Sequence, residues 1–62
     1  MRTLSFLHHG VYIRHNGRIY RVDWKLHNDN NVVDFKTNKE EYIDEDTRVE
    51  WLRTFENFKI IK

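Results

Sequence analysis

The 62-residue chain contains no cysteine, no proline and only two glycines, Gly10 and Gly17. Without cysteine there is neither a disulfide staple nor a thiolate metal site. Two isolated glycines cannot make a glycine-rich phosphate loop, and no Ser or Cys nucleophile stands with an evident base. A ribonuclease-like trio of His8, Lys25 and Tyr12 can be drawn, but so small a chain builds no obvious substrate cleft. The expectation is a protein that is not an enzyme and carries no cofactor. Long hydrophobic runs are also missing. Leu4-Ser5-Phe6-Leu7 is far too short for a signal-peptide core or a membrane span, so the expected location is cytoplasmic, with no membrane partner.

Repeats, low-complexity tracts and linkers are absent too, and residues 1–62 read as one small domain. A chain of this size buries only about 60% of the surface exposed when it is unfolded. What compensates is aromatic: four Phe, three Tyr and two Trp bury a large area for few residues. A homodimer is the other way to stabilise such a chain, so both monomer and homodimer stay open.

The pattern is organised around Val11–Leu26. Asn16-Gly17 is the strongest short hairpin signal, because both central positions of a type I′ turn need φ > 0. A two-residue loop pairs His15 with Arg18, Ile13 with Tyr20, Val11 with Val22, His9 with Trp24 and Leu7 with Leu26. One face then carries Leu7, Val11, Ile13, Tyr20, Val22, Trp24 and Leu26. The other carries His8, Tyr12, Arg14, Ile19, Arg21, Asp23 and Lys25. Phe6 falls on the outer face unless the terminal strand bends and tucks it round an edge.

A second hairpin is expected through Asn28-Asp29-Asn30-Asn31, residues that tolerate αL. Pairing His27 with Val32 brings Trp24 opposite Phe35, Lys25 opposite Asp34 and Asp23 opposite Lys36, and the two opposite-charge pairs favour that register. Thr37-Asn38-Lys39-Glu40 has capping-box spacing, as does Thr47-Arg48-Val49-Glu50. From the second start, Trp51, Leu52, Phe55 and Phe58 share one helical face, with Val49 at its edge. The resulting expectation is an α+β fold. It is a three-stranded antiparallel meander (about 3–14, 18–27 and 32–37) packed by one C-terminal helix (about 47–57), with a short final strand at 59–62. The alternative is an all-β, SH3-like small barrel, because Val49-Glu50-Trp51 also alternates and is built of good strand formers.

Charge is unevenly distributed. Residues 1–27 hold five Lys or Arg against one acid, and residues 28–62 hold six against nine. Toward the Asn16-Gly17 end of the outer face the cations Arg14, Arg18 and Arg21 cluster, with Tyr12 and Ile19 interleaved. That arrangement suits DNA or RNA, since guanidinium forks match phosphate and a ring stacks on an unpaired base. Three or four phosphate contacts give a salt slope of only about −3, so a dimer or a protein partner would have to assist. Against this stands an ordinary solvated sheet face. In the acidic stretch 40–46, Glu41, Tyr42 and Asp44 mark a docking edge for a basic protein partner, the plainer reading being a solvated connector. His8 and His27 lie diagonally close, yet without a placed carboxylate they make half a metal site, and none is assigned.

Two functions follow. One is a small accessory or regulatory protein that binds nucleic acid through the basic hairpin face. The other is a protein-binding regulator or inhibitor acting through the 40–46 edge or the exposed hairpin. Over about residues 11–41, the order of strand, turn, basic strand and then Phe35-Lys36-Thr37-Asn38-Lys39-Glu40 resembles the small DNA-binding domains at the N-termini of phage-type integrases. The resemblance implies a three-stranded sheet followed directly by a helix, with DNA on the sheet. The chain departs from it in that its helical period starts late, near Thr47.

Overall fold

The computed structural model of the chain describes residues 1–53. They form six antiparallel strands in one open sheet, β1 (Arg2–Thr3), β2 (Tyr12–His15), β3 (Arg18–Val22), β4 (Val32–Asp34), β5 (Glu40–Glu41) and β6 (Arg48–Trp51), in the order β1-β6-β2-β3-β4-β5. The β2–β3 hairpin sits at the centre with the expected register, Tyr12 opposite Arg21, Ile13 opposite Tyr20, Arg14 opposite Ile19 and His15 opposite Arg18. Asn16 (φ 52°) and Gly17 (φ 77°) both occupy the left-handed region that a type I′ turn requires. One face gathers the core: Leu4, Leu7, Val11, Ile13, Tyr20, Val22, Val32, Ile43 and Val49, with Trp24 and Trp51 packed against it.

The first strand does not run back to residue 3. Gly10 N–H and Val11 C=O both bond Val22, the former donating at 2.7 Å and the latter accepting at 2.8 Å. Two residues thus oppose one. With Gly10 at φ 92° this is the arrangement of a G1 bulge, which bends the strand away. His9 and Leu7 therefore never pair with Trp24 and Leu26. Instead Leu4–Phe6 makes a 3-10 turn, and β1 crosses to pair with β6. The bend leaves Phe6 80% exposed rather than tucked.

The second hairpin is a larger correction. β4 pairs with β3 as Tyr20–Asp34, Arg21–Val33 and Val22–Val32, five positions from the expected register. An odd shift reverses the faces, so Val32 rather than Val33 joins the core. The cause is local: the Asp23 carboxylate accepts the Lys25 N–H at 2.9 Å and turns the chain out of β3. Trp24 is drawn inward, donating its indole N–H to Leu7 C=O at 3.0 Å. The charge pairs that favoured the other register do not form.

Thr37–Glu40 caps no helix. It belongs to a tight β4–β5 connection in which Asn38 takes φ 64° and Asp34 N–H donates to Lys39 C=O at 2.9 Å. The helix directly after the third strand, implied by the integrase-like order, is therefore absent. Nor does a helix start at Thr47. Residues 48–51 are β6, wedged between β1 and β2 with Ile13 opposite Trp51 and Arg14 opposite Glu50. The α+β expectation is thus overturned, residues 54–57 and the final strand at 59–62 lying outside the described residues. Strand wins over helix because β2 and β1 each offer an edge of backbone donors and acceptors that only a strand satisfies. The all-β alternative has the right class, but the ladders form an open sheet and none joins β5 to β1 among the described residues.

Replacing Ile13 by Ala, at the centre of this core, is expected to destabilise the protein by roughly 2–5 kcal/mol. Gly10→Ala should cost about 1–2 kcal/mol through left-handed backbone strain, since open space surrounds the site. Chemical denaturation checks both, and a neutral Gly10→Ala would show that the bulge tolerates a side chain.

Candidate partner-binding edge

The sheet separates the residues expected to form one basic patch. Tyr12, Arg14, Ile19 and Arg21 do share the outer face, whereas Arg18 alternates with them and lies on the core side with Tyr20 and Val22. Tyr12 is only 7% exposed. Its ring meets Phe35 edge to face, centroids 5.9 Å apart at 84°, so it packs instead of offering a stacking surface. Arg14 lies 3.4 Å from Glu50, its cross-strand neighbour on β6. Arg18 lies 3.8 Å from Asp34 and 3.9 Å from Glu41. Among the described residues Arg21 forms no ion pair, and neither do Lys25 and Lys36, which the sequence had paired with acids. The histidines likewise spread out. His9 Nδ1 lies 3.5 Å from the Asp23 carboxylate and accepts Trp24 N–H at 3.4 Å, and the register that set His8 diagonal to His27 does not form.

The acidic stretch divides by role. Glu41 faces the core side, where it accepts the Tyr20 hydroxyl at 3.4 Å and neighbours Arg18, so it stabilises the sheet. Burial first, then the Glu41 charge, pushes the Tyr20 phenol above its ordinary value, against a lowering by Arg18. Asp44 closes a turn, accepting Asp46 N–H on its side chain at 2.9 Å and Thr47 N–H on its carbonyl at 3.0 Å. Tyr42 is 56% exposed. Partial desolvation first, then the charges of Asp44, Glu45, Asp29 and Asp46, raises its phenol pKa.

Among the described residues β5 is an edge of the sheet. Its inward groups are spoken for: Lys39 C=O accepts from Asp34, Glu41 C=O accepts from Asn31, and Ile43 exchanges two bonds with the Asn31 side chain, at 2.9 Å and 2.7 Å. By ladder alternation Glu40 and Tyr42 turn their own N–H and C=O groups to the open side. An exposed row of backbone groups thus lies beside Tyr42 and the turn carrying Asp44, Glu45 and Asp46. Glu41, Tyr42 and Asp44, singled out from sequence, come together here, with Glu41 turned to the core side and Tyr42 and Asp44 exposed. Asp29 and Glu45 were missed as a pair because they lie far apart in the chain, and Asn28-Asp29-Asn30-Asn31 signalled only a turn.

The β4–β5 connection that presents this edge rests on Asp34, 3% exposed. Its Oδ1 accepts Lys36 N–H at 2.8 Å and Thr37 N–H at 3.1 Å. The Thr37 N–H bond foremost, with Lys36 and Arg18 adding, holds its carboxyl below the usual range despite burial. A depressed carboxyl stabilises the fold above its unfolded pKa, and that contribution disappears as pH falls through about 4 toward the folded value. Asp34→Asn should therefore lower the thermal midpoint at neutral pH, and the gap to wild type should narrow on acidification. A gap independent of pH would assign Asp34 no ionic role.

Comparison with protein-family models, with curated proteins and with solved structures gave no match for this chain.

Proposed function

We propose that the chain is a non-enzymatic, cytoplasmic protein-binding regulator that takes an extended, basic segment of a partner protein along the open edge of β5. The observation that carries this reading is the outward row of Glu40 and Tyr42 backbone groups beside Tyr42 and the acidic 44–46 turn. Main-chain pairing at a sheet edge supplies affinity without demanding a deep pocket, which suits so small a domain. The flanking carboxylates favour cationic partners and repel acidic ones. Among the described residues no helix is long and apolar enough to cross a membrane.

Nucleic acid is the second reading, and one feature of the opposite end of the sheet favours it. There the Asn16-Gly17 turn and the 35–39 loop lie side by side, joined by Phe35 N–H donating to Ile19 C=O at 2.8 Å. Between them runs a cleft of about 550 Å³ lined by Arg18, Ile19, Phe35 and Lys36 among others. Lys36 in this cleft, and Arg21 in the neighbouring hollow it shares with Asp34 and Phe35, lack the carboxylate partners that engage Arg14 and Arg18 and are the best phosphate ligands.

Titration calorimetry with an alternating Lys-Val octapeptide separates the two. Binding at low salt that weakens about tenfold in Glu40→Pro supports edge pairing, because proline removes only the outward N–H and is tolerated on edge strands. No heat at low salt, or an unchanged affinity in a folded Glu40→Pro variant, sinks it. For the second reading, a fluorescent single-stranded oligonucleotide should lose affinity in the Arg21→Glu, Lys36→Glu double variant while the melting temperature holds. Equal binding by wild type and variant removes nucleic acid from this surface.

A further inference from the structure

Beside β5 an open groove of about 610 Å³ runs between the 28–31 loop and the chain leaving the strand. Trp24, Leu26 and Tyr42 supply its apolar lining, and Asp29 and Glu45 its carboxylates, with asparagine amides between them. Among the described residues, none that lines it is Lys, Arg or His. Two aromatic rings and two carboxylates from three separate segments thus meet in one concave place, with no internal cation to neutralise them.

The groove is also built to hold its shape. Trp24 is fixed by its indole bond to Leu7 C=O at 3.0 Å. Asn31 clamps the 28–31 loop to Ile43 through both ends of its buried amide, donating at 2.7 Å and accepting at 2.9 Å. Asn28 (φ 59°) and Asp29 (φ 65°) lie in the left-handed region that turns this loop. The carboxylates that raise the Tyr42 phenol, Asp44, Glu45, Asp29 and Asp46, come from both sides of the groove.

We infer that this groove receives the cationic side chain, a lysine ammonium or arginine guanidinium, of a basic protein segment docked at β5. The inference rests on the edge-pairing reading and adds its specificity determinant. A cation over a ring face is attracted by the ring quadrupole, and partly enclosed carboxylates strengthen that attraction by charge-assisted hydrogen bonds. A neutral side chain of equal length gains neither. The groove volume falls in the range of about 300–1,000 Å³ typical of ligand clefts.

The probes are Nα-acetyl-lysine methylamide and its arginine and norleucine counterparts, each too short to pair along β5. They are titrated into the labelled full chain at low salt and followed by heteronuclear NMR. Lysine and arginine probes should shift the Trp24 indole and Tyr42 amide resonances, and norleucine should leave them in place. Tyr42→Ala, at an exposed position, and the Asp29→Asn, Glu45→Gln pair should each weaken the response about tenfold. Absence of shifts, equal shifts with norleucine, or indifference to Tyr42→Ala overturns the inference. Octapeptide binding lost in Glu40→Pro but untouched by the groove variants leaves edge pairing standing and removes the groove. Probe shifts at the groove in a chain that ignores the octapeptide establish the cation site and remove the edge.

Discussion

Two residues with positive φ, Asn16 and Gly17, set the geometry on which the remaining strands depend. A two-residue I′ turn leaves no freedom of register, so β2 and β3 are aligned independently of the other strands. They occupy the middle of the sheet, and β6 builds on one side while β4 builds on the other. The hairpin's alternation gives Ile13, Tyr20 and Val22 to the core and Arg14, Ile19 and Arg21 to the outer face. Every later strand inherits that division through its ladder.

Short polar side chains do much of the remaining shaping. Asp23, Asp34, Thr37 and Asp44 each accept a backbone N–H within their own turn, and Asn31 spans from one segment to another. In a chain with two glycines and no proline, these local bonds substitute for the usual turn formers. They also draw charge inward. Asp34, with Glu41, faces Arg18, and Glu50 faces Arg14, so cations that look available along the sequence act within the sheet.

Function then falls to what is left over. The β5 edge is a liability in any open sheet, because unpaired backbone groups invite another strand. On the proposed reading, acidic residues along and beyond it disfavour a second copy of the same edge and favour a basic segment. The groove beside Tyr42 lies next to that edge, so main-chain pairing and side-chain selection would act on one partner at once.

The sequence by itself determined the central hairpin, its register, the inward residues of β2 and β3 and the polar character of their outer face. All of these depend on alternation and on a turn within about a dozen residues, where local sterics dominate. The acid-rich character of residues 40–46 around Tyr42 was legible for the same reason, because the run is contiguous in the chain. Only the tertiary structure decided the rest. Two opposite-charge pairs argued for a β3–β4 register that does not form; Asp23 and Asp34 instead accept the backbone N–H groups of Lys25 and Lys36 within their own turns. Val49-Glu50-Trp51 fits either period, and the choice fell to strand because the free edges of β1 and β2 needed a partner. The groove joins Trp24, Asp29, Tyr42 and Glu45 from separate segments, a meeting that no local pattern encodes because it exists only once the bulge at Gly10 and the Asn31 clamp have turned the chain.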